Sequence, residues 1–538
     1  MSPRRPGLEL AAGVFALLLA AAPASAQQPE ASAAALLARL KAATGGERWD
    51  RATTVSAAGE KTSFGLKGAY GSAEDLATGR FARRSDYGLL ANAEGLDDAG
   101  RWRRDNSGGV HPLDSDEARA VAATEAYLAR RGYLFPERAG AALTLQDPAT
   151  EGAETFDRIV VTPQGGRAAT LWIRRSDHRL DRAVVALASR IQTVRYRDYR
   201  AADGLVLPYE IVTEDGDQQE TGDARIARYR LDDPAAAEAQ RRPPSRSTDA
   251  RLAGGAAVAS APFGLDALSG FPIVEARVNG RGPLLFILDT GGHDILTPAA
   301  AAALGLPLSG AGFSLGAGEG STPTRFTRVS KLALGAAEMT DQPFVVLELD
   351  LGQAVGPDNR PTAISGVIGL ELFERFTVTL DYAARRLSLR LPRAEPIAGG
   401  APIRFTSDMP LAEASLDGRS GWFGLDTGNN AGVILFKTWV EAKGLPAWFE
   451  VTVDTAGAGV GGPVTFRRGH AGGLTLAGAT LPGLPVLLAG DHLGALSSRA
   501  EAGNIGESVL SRFVVTFDYA HERVRLDPPP PPPGIDGT

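Results

Sequence analysis

Two Asp-Thr-Gly triplets, Asp289-Thr290-Gly291 and Asp426-Thr427-Gly428, carry the residue types and spacing that point most directly to chemistry in this chain. A lone carboxylate in water is a poor base for amide hydrolysis. Two carboxyls held about 3 Å apart cannot both ionise, so their titrations split and the pair carries one proton at working pH. The ionised partner can then take a proton from a bridging water while the protonated one donates to the carbonyl oxygen under attack. The rest of each triplet suits that task. Thr290 and Thr427 supply hydroxyls able to bond across to the opposite loop, and Gly291 and Gly428 let the backbone bend until an amide approaches each carboxylate.

One such triplet would mean little, because a chain with 64 glycines in 538 residues should contain about 0.2 of them by chance. The register makes the difference. Leu288 to Gly291 returns as Leu425 to Gly428, Ile368-Gly369 returns as Ile505-Gly506, and Arg375 to Ala383 returns as Arg512 to Ala520, each at an offset of 137 positions. An internal duplication therefore spans about residues 263–527, with copies at 263–394 and 395–527. A strand-ending turn capped by Asp and copied passively is the competing account of the triplets.

The elements that must position these residues read as β throughout both copies: short runs of Val, Leu, Ile and Phe broken by Gly, Asn and Asp. Asn279-Gly280 and Asp417-Gly418 are hairpin turns leading into the strands that end at the triplets. Each copy closes with a second hairpin, turning at Asp381-Tyr382 or Asp518-Tyr519, where turn capping accounts for both aspartates. Two Gly-rich stretches are candidate flaps over a cleft: Gly316, Gly318 and Gly320 in the first copy, Gly457 and Gly459 in the second.

The triplets, their apolar strands, and the segments Val367-Ile368-Gly369 and Asn504-Ile505-Gly506 together resemble the retropepsin-like aspartic peptidases, specifically the bacterial aspartyl protease family. In both copies the glycine of the second segment lies 80 positions beyond the aspartate. The resemblance covers about half the chain. It implies one β lobe per copy, a pseudo-two-fold pair formed in cis by a monomer, Asp289 and Asp426 as the catalytic dyad, and Ile368, Gly369, Ile505 and Gly506 crossing behind the Asp loops. It further implies a water nucleophile, a polypeptide substrate, and no metal or cofactor. The chain departs from that pattern at Gly292 and Asn429, where Ala or Ser is common, and at Asn504, where an apolar residue is expected. Asn429 is placed to donate to a carboxylate and lower the pair's pKa. The candidate flaps lack a tyrosine.

Other chemistries find less support. The six histidines show no zinc-peptidase spacing, there is no Gly-x-Ser-x-Gly elbow, and the absence of cysteine removes thiol nucleophiles, thiolate metal sites and disulfides. His293, two residues past Gly291, reads as a surface or capping group. A net charge of -7 gives no reason to expect nucleic acid.

Upstream, Arg4 and Arg5 precede an apolar run from Leu8 to Ala22 and Ala24-Ser25-Ala26, the pattern of a signal peptide over residues 1–26. An exported, periplasmic or secreted protein with no integral membrane segment after cleavage is expected. Residues 27–233 open with an amphipathic helix around Leu36 to Ala43 and continue as strand-like segments such as Ile159 to Thr162 and Ala169 to Ile173. Their segments Ala43 to Gly46, Trp172-Ile173-Arg174, Tyr196 to Arg200 and Asp203 to Pro208 loosely resemble the lipoprotein-carrier-like domains, which implies an α+β domain with a curved antiparallel sheet. Residues 234–262, with Pro243-Pro244 central, read as a linker, and residues 528–538 as a Pro-rich tail. Two other functions fit the same lobes: a binding protein that holds peptide or lipoprotein without cutting, and a peptidase that cuts only its own linker at Arg241 to Arg246.

Overall fold

In the computed structural model, residues 32–529 are described except 215–221, 246–247, 267–268, 319, 357–358, 407, 445–453 and 491–494. The signal-peptide and tail expectations concern residues 1–26 and 528–538; all of the former and all but two residues of the latter lie outside the described residues.

The chain is mainly β. Its N-terminal part is one curved antiparallel sheet of thirteen strands between Thr54 and Leu231. The first strand, Thr54–Ser63, pairs with both Leu66–Asp75 and the last strand, Gly222–Leu231. This joins the two runs of hairpins into a single surface. The helix Ala33–Thr44 starts at Ser32, whose hydroxyl accepts from the Ala35 amide. Its apolar stripe, Leu36, Leu37 and Leu40, packs with Tyr127, Tyr133 and Leu134 over Ile159, Val161, Leu171 and Ile173 of the sheet. Period 3.6 on the helix meets period 2 on the strands, and both bury one face.

The C-terminal part is built from the repeat. In the first copy Pro272–Val278 and Arg281–Leu288 form a hairpin whose turn places Asn279 at φ 51° and Gly280 at φ 79°, the two left-handed positions of a type I′ turn. Asp417 (φ 46°) and Gly418 (φ 77°) repeat this in the second copy. The strand leading to each triplet then pairs in parallel with a later strand: Leu288 opposite Ile368, and Leu425 opposite Ile505. Ile368-Gly369 and Ile505-Gly506 thus cross directly behind the Asp loops.

The two copies join through a shared sheet. Thr377–Asp381 pairs antiparallel with Val514–Asp518, and Thr379 lies opposite Thr516 with their hydroxyl oxygens 3.0 Å apart. Each of these threonines is the other's repeat equivalent, so the pseudo-two-fold axis passes between them. Next to this sheet Phe373 stacks on Tyr519 (5.5 Å) and meets Phe517 edge-on (5.5 Å), all three buried. Truncating Phe373 or Phe517 to Ala would cost about 3–5 kcal/mol.

The stretch expected as a linker is folded at its C-terminal end. Ala250–Leu252 pairs with the strand Ala337–Leu347, and Ala259–Leu265 pairs with Arg386–Arg390. Small and polar residues at these strands hid them from a pattern search, since only Ala259 and Phe263 of the second are buried. Upstream of them the Arg84 guanidinium donates to the Arg241 carbonyl, and Arg242 pairs with Asp97 through two bonds of 3.1 Å. The N-terminal sheet also touches both lobes: the Ala311 amide donates to Phe64 O, and the Arg499 amide to Ala188 O.

Candidate active site

The two Asp loops meet head to head on the pseudo-two-fold axis. The Thr290 amide donates to the Thr427 hydroxyl (3.0 Å) and the Thr427 amide to the Thr290 hydroxyl (2.9 Å). Each hydroxyl in turn donates to a carbonyl of the other loop, Thr290 to Leu425 O (2.7 Å) and Thr427 to Leu288 O (2.8 Å). Both threonines are fully buried. A burial this deep is tolerable because each amide and each hydroxyl has a partner.

This grip brings the carboxyls of Asp289 and Asp426 together. The Gly291 amide donates to Asp289 Oδ1 (2.7 Å) and the Gly428 amide to Asp426 Oδ1 (3.0 Å). The glycines are required for a further reason: each lies against the opposite aspartate. A Cβ on Gly291 would stand 2.8 Å from Asp426 Oδ1, and one on Gly428 would collide with the Asp289 carboxyl. Gly369 and Gly506 are close-approach positions as well, facing the Gly292 and Asn429 carbonyls that accept from the next amides, Leu370 (2.8 Å) and Glu507 (2.7 Å).

The environments of the two carboxyls differ. Burial raises the Asp289 pKa, and the Gly291 amide offsets part of that rise. Burial and the adjacent Asp289 charge push Asp426 well above the ordinary carboxylate range. Above the raised Asp289 value and below the more strongly raised Asp426 one, the pair holds one proton between them.

The asparagine that reaches this pair is Asn504, not Asn429. Asn504 Nδ2 donates to Asp426 Oδ2 (3.1 Å), while Asn429 is turned away, its Oδ1 accepting from the Ala431 amide (2.9 Å). The parallel pairing explains this: Asn504 lies opposite Gly424, whose missing side chain leaves room for the amide beside the dyad. The departure from an apolar residue at Asn504 is therefore a polar contact with the dyad. Its signal was in the register, where Asn504 stands at the repeat position of the apolar Val367.

The two candidate flap tips meet each other. The Gly318 amide donates to Val460 O and the Gly320 amide to Gly461 O, both at 2.8 Å. Gly316, Gly318 and Gly320 lie in the loop between Ser309–Ser314 and Thr322–Leu334. Gly457 and Gly459 lie instead within the strand Asp454–Gly459, and the tip they were expected to form is Val460-Gly461. Each tip packs on the other lobe: Val460 on the apolar cluster that includes Ile273, Ile287 and Val367, and Ala317 on the one that includes Ile434, Phe436 and Phe466.

His293 is not a simple surface group. Its Nδ1 lies 2.8 Å from Glu371 Oε1 and its Nε2 3.3 Å from Asp408 Oδ2. Burial would lower its pKa, but the Glu371 and Asp408 carboxylates raise it well above the ordinary value, so it is cationic at neutral pH and acts on Asp289. A larger charged network continues from it. Asp408 faces Arg103 (3.2 Å) and His111, His111 meets Glu374 (3.2 Å), and Arg375 pairs with Glu374 and with buried Asp249. These residues come from the N-terminal sheet, the segment before the first lobe, and both lobes. No local spacing marks them, because the fold alone brings them together.

Residues 274–372, which hold the first triplet and Ile368-Gly369, match the family model described as aspartyl protease. The C-terminal region therefore contains an aspartyl protease-like domain. Among solved structures the chain is similar to a retropepsin-like aspartic protease from Rickettsia conorii, at 21% identity over 26% of this chain and 93% of that one, TM-score 0.18. It is also similar to a putative outer membrane lipoprotein-sorting protein domain from Vibrio parahaemolyticus (9% identity, 39% of this chain, 98% of that one, TM-score 0.28). A LolA superfamily protein from Nitrosomonas europaea matches at 16% identity over 38% of this chain and 94% of that one, TM-score 0.28. A comparison with curated proteins finds no match. Among the described residues no helix is long and apolar enough to cross a membrane.

Proposed function

We propose that this chain is an exported aspartic endopeptidase that hydrolyses polypeptides outside the cytoplasm, with Asp289 and Asp426 of one chain as its dyad. The observation that carries the reading is the pair of half-buried carboxyls brought together on the pseudo-two-fold axis by the buried threonine grip and held in unequal environments. Asp289, with the lower pKa, takes a proton from a water between the carboxyls as that water attacks the scissile carbonyl. Asp426 donates its proton to the carbonyl oxygen, and the resulting gem-diol collapses with proton transfer to the leaving amine. No covalent intermediate is needed. Substrate enters when the Gly318 and Val460 tips part, and their backbone groups are then free to bond an extended peptide.

The linker is a poor self-cleavage site on this reading, since Arg241 and Arg242 are bonded to Arg84 and Asp97 of the N-terminal sheet.

The deciding experiment incubates the chain beginning at Gln27 with an unfolded protein from pH 3 to 8, beside Asp289→Asn and Asp426→Asn. Cleavage by the parent chain and by neither variant is the expected result. Peptide binding without cleavage at any pH would establish a binding protein instead, and release of residues 27–241 alone a self-processing one.

A further inference from the structure

The charged network beside the dyad contains a second site. We propose that Asp105, His111 and Glu374 bind a divalent cation, zinc, which fastens the N-terminal sheet to the first lobe.

The three side chains each offer one ligand atom, and these atoms lie within 4.8 Å of one another. Asp105 and His111 flank the turn between the strands Gly100–Arg104 and Val110–Pro112, whereas Glu374 comes from the helix Leu370–Arg375 of the first lobe. His111 Nδ1 and Glu374 Oε1 are 3.2 Å apart. Two ligands of a tetrahedral zinc, each about 2.0–2.1 Å from the metal, stand about 3.3 Å from each other.

Asp105 is the observation that points to a ligand. Its Oδ1 accepts from the Ser107 amide (2.8 Å), the Ser107 hydroxyl (2.7 Å), and the amides of Gly108 (2.8 Å) and Gly109 (3.0 Å). Its Oδ2 is buried, on a residue only 2% exposed, and no N–H or O–H of the described residues meets it. What faces Asp105 is the Glu374 carboxyl, which burial and the Asp105 charge push well above the ordinary carboxylate range, so the two carboxyls must share either a proton or a cation. A carboxylate oxygen so placed costs free energy unless something positive meets it. The nearby guanidinium does not fill that role, because Arg375 is held by Asp249 through two bonds (3.0 and 2.9 Å) and by the Glu371 and Ser107 carbonyls (3.0 and 2.9 Å), and of the three ligands it meets Glu374, at Oε2 (3.3 Å). Glu374 Oε1 stays on the His111 side.

The surroundings supply the outer contacts such a site needs. A metal-bound imidazole donates its other nitrogen to a carboxylate, and His111 Nε2 faces Asp408 Oδ1 at 3.6 Å, both atoms buried and unpartnered. A shift of a few tenths of an ångström would pair them. Two carboxylate oxygens and one imidazole nitrogen are a donor set for zinc ahead of magnesium or calcium, which prefer oxygen alone. The fourth position is left to water. Because the ligands come from both sides of the interface, bound metal stabilises their contact by mass action.

The test counts metal directly. Chain beginning at Gln27, made without an affinity tag, is stripped with chelator, dialysed against zinc chloride at micromolar free zinc, and analysed for metal per chain. About one zinc per chain is expected, with a rise in Tm on reloading. Asp105→Asn and Glu374→Gln should weaken retention about 100-fold or more, and His470→Gln, on an exposed histidine of the second lobe, should not. Near-ultraviolet circular dichroism checks that each variant is folded. Failure of the parent chain to retain zinc overturns the proposal whatever the variants do, as does equal retention by folded Asp105→Asn and Glu374→Gln. Zinc retention is independent of peptide cleavage, so this result and the outcome for the dyad separate cleanly.

Discussion

The Thr290 and Thr427 hydroxyls each accept the other's amide and donate to the carbonyl before the other's aspartate, so four hydrogen bonds cross the pseudo-two-fold axis through two side chains. The arrangement fixes the separation of the two carboxyls, which could not both ionise at that distance. Its atoms are fully buried, so no water can replace a lost bond.

Replacing Thr290 by Val keeps the shape and strands the Thr427 amide and the Leu425 carbonyl without partners. A loss of about 2–6 kcal/mol in unfolding free energy is expected, from about 1–3 kcal/mol for each of the two orphaned buried groups. Thr290→Ser, which keeps the hydroxyl, should recover most of it. Denaturant titration of both variants measures the difference, and a loss in Thr290→Ser as large as that in Thr290→Val would mean that the methyl contributes as much as the hydroxyl.

Asn504 and His293 act on opposite limbs of the pH profile. Asn504 stabilises the charged form of Asp426, so Asn504→Val raises that pKa further and moves the alkaline limb of kcat/KM to higher pH. The cationic His293 stabilises charged Asp289, so His293→Gln raises the Asp289 pKa and moves the acid limb to higher pH, narrowing the active range. Profiles of the two variants check both signs. Valine is the natural replacement at 504 because Val367 fills the equivalent place in the first copy.

The difference between these two residues shows what was legible in the sequence. The dyad, the threonine grip and the strands behind the loops were readable because duplication writes each of them twice at one offset. Asn504 was visible as a break in that register, but its target was not, since only the parallel pairing with Gly424 aims it at Asp426. His293, Glu371, Asp408, His111 and Asp105 were out of reach. They are not repeated, they span positions 105 to 408, and they meet only where three folded units join. The second flap stretch, Ala456 to Gly462, contains the tip at Val460-Gly461, but glycine composition alone cannot separate a strand with close neighbours from a turn: Gly457 and Gly459 lie in the strand and face Phe466 and Ala317.

Flap closure depends on glycine in a way that can be tested apart from the dyad. A Cβ on Gly318 would press into the backbone of Gly461 and Gly462 of the opposite tip. Gly318→Val should hold the tips apart, lowering kcat/KM about tenfold or more while leaving Tm nearly unchanged, since loop tips contribute little to the core. Peptide-cleavage kinetics beside a thermal scan distinguish this from general destabilisation, in which Tm and activity would fall together.

The dyad itself should be a stability cost that grows with pH. The folded-state pKa of Asp426 is raised well above its ordinary value of 3.8, by burial first and by Asp289 second. A group of this kind leaves the folded state relatively favoured below its unfolded pKa, and that advantage is lost as pH rises toward and through the folded value. Asparagine cannot ionise, so Asp426→Asn is exempt from the loss. The variant should match the parent near pH 3, where both side chains are neutral, and exceed it in Tm by a margin that widens through neutral pH. Asp289→Asn should show a smaller margin, because the Gly291 amide already favours the charged form at that position. Thermal scans of the three proteins from pH 3 to 8 measure these margins. A constant gap between parent and Asp426→Asn across that range would mean that the carboxyl is not desolvated as its burial requires.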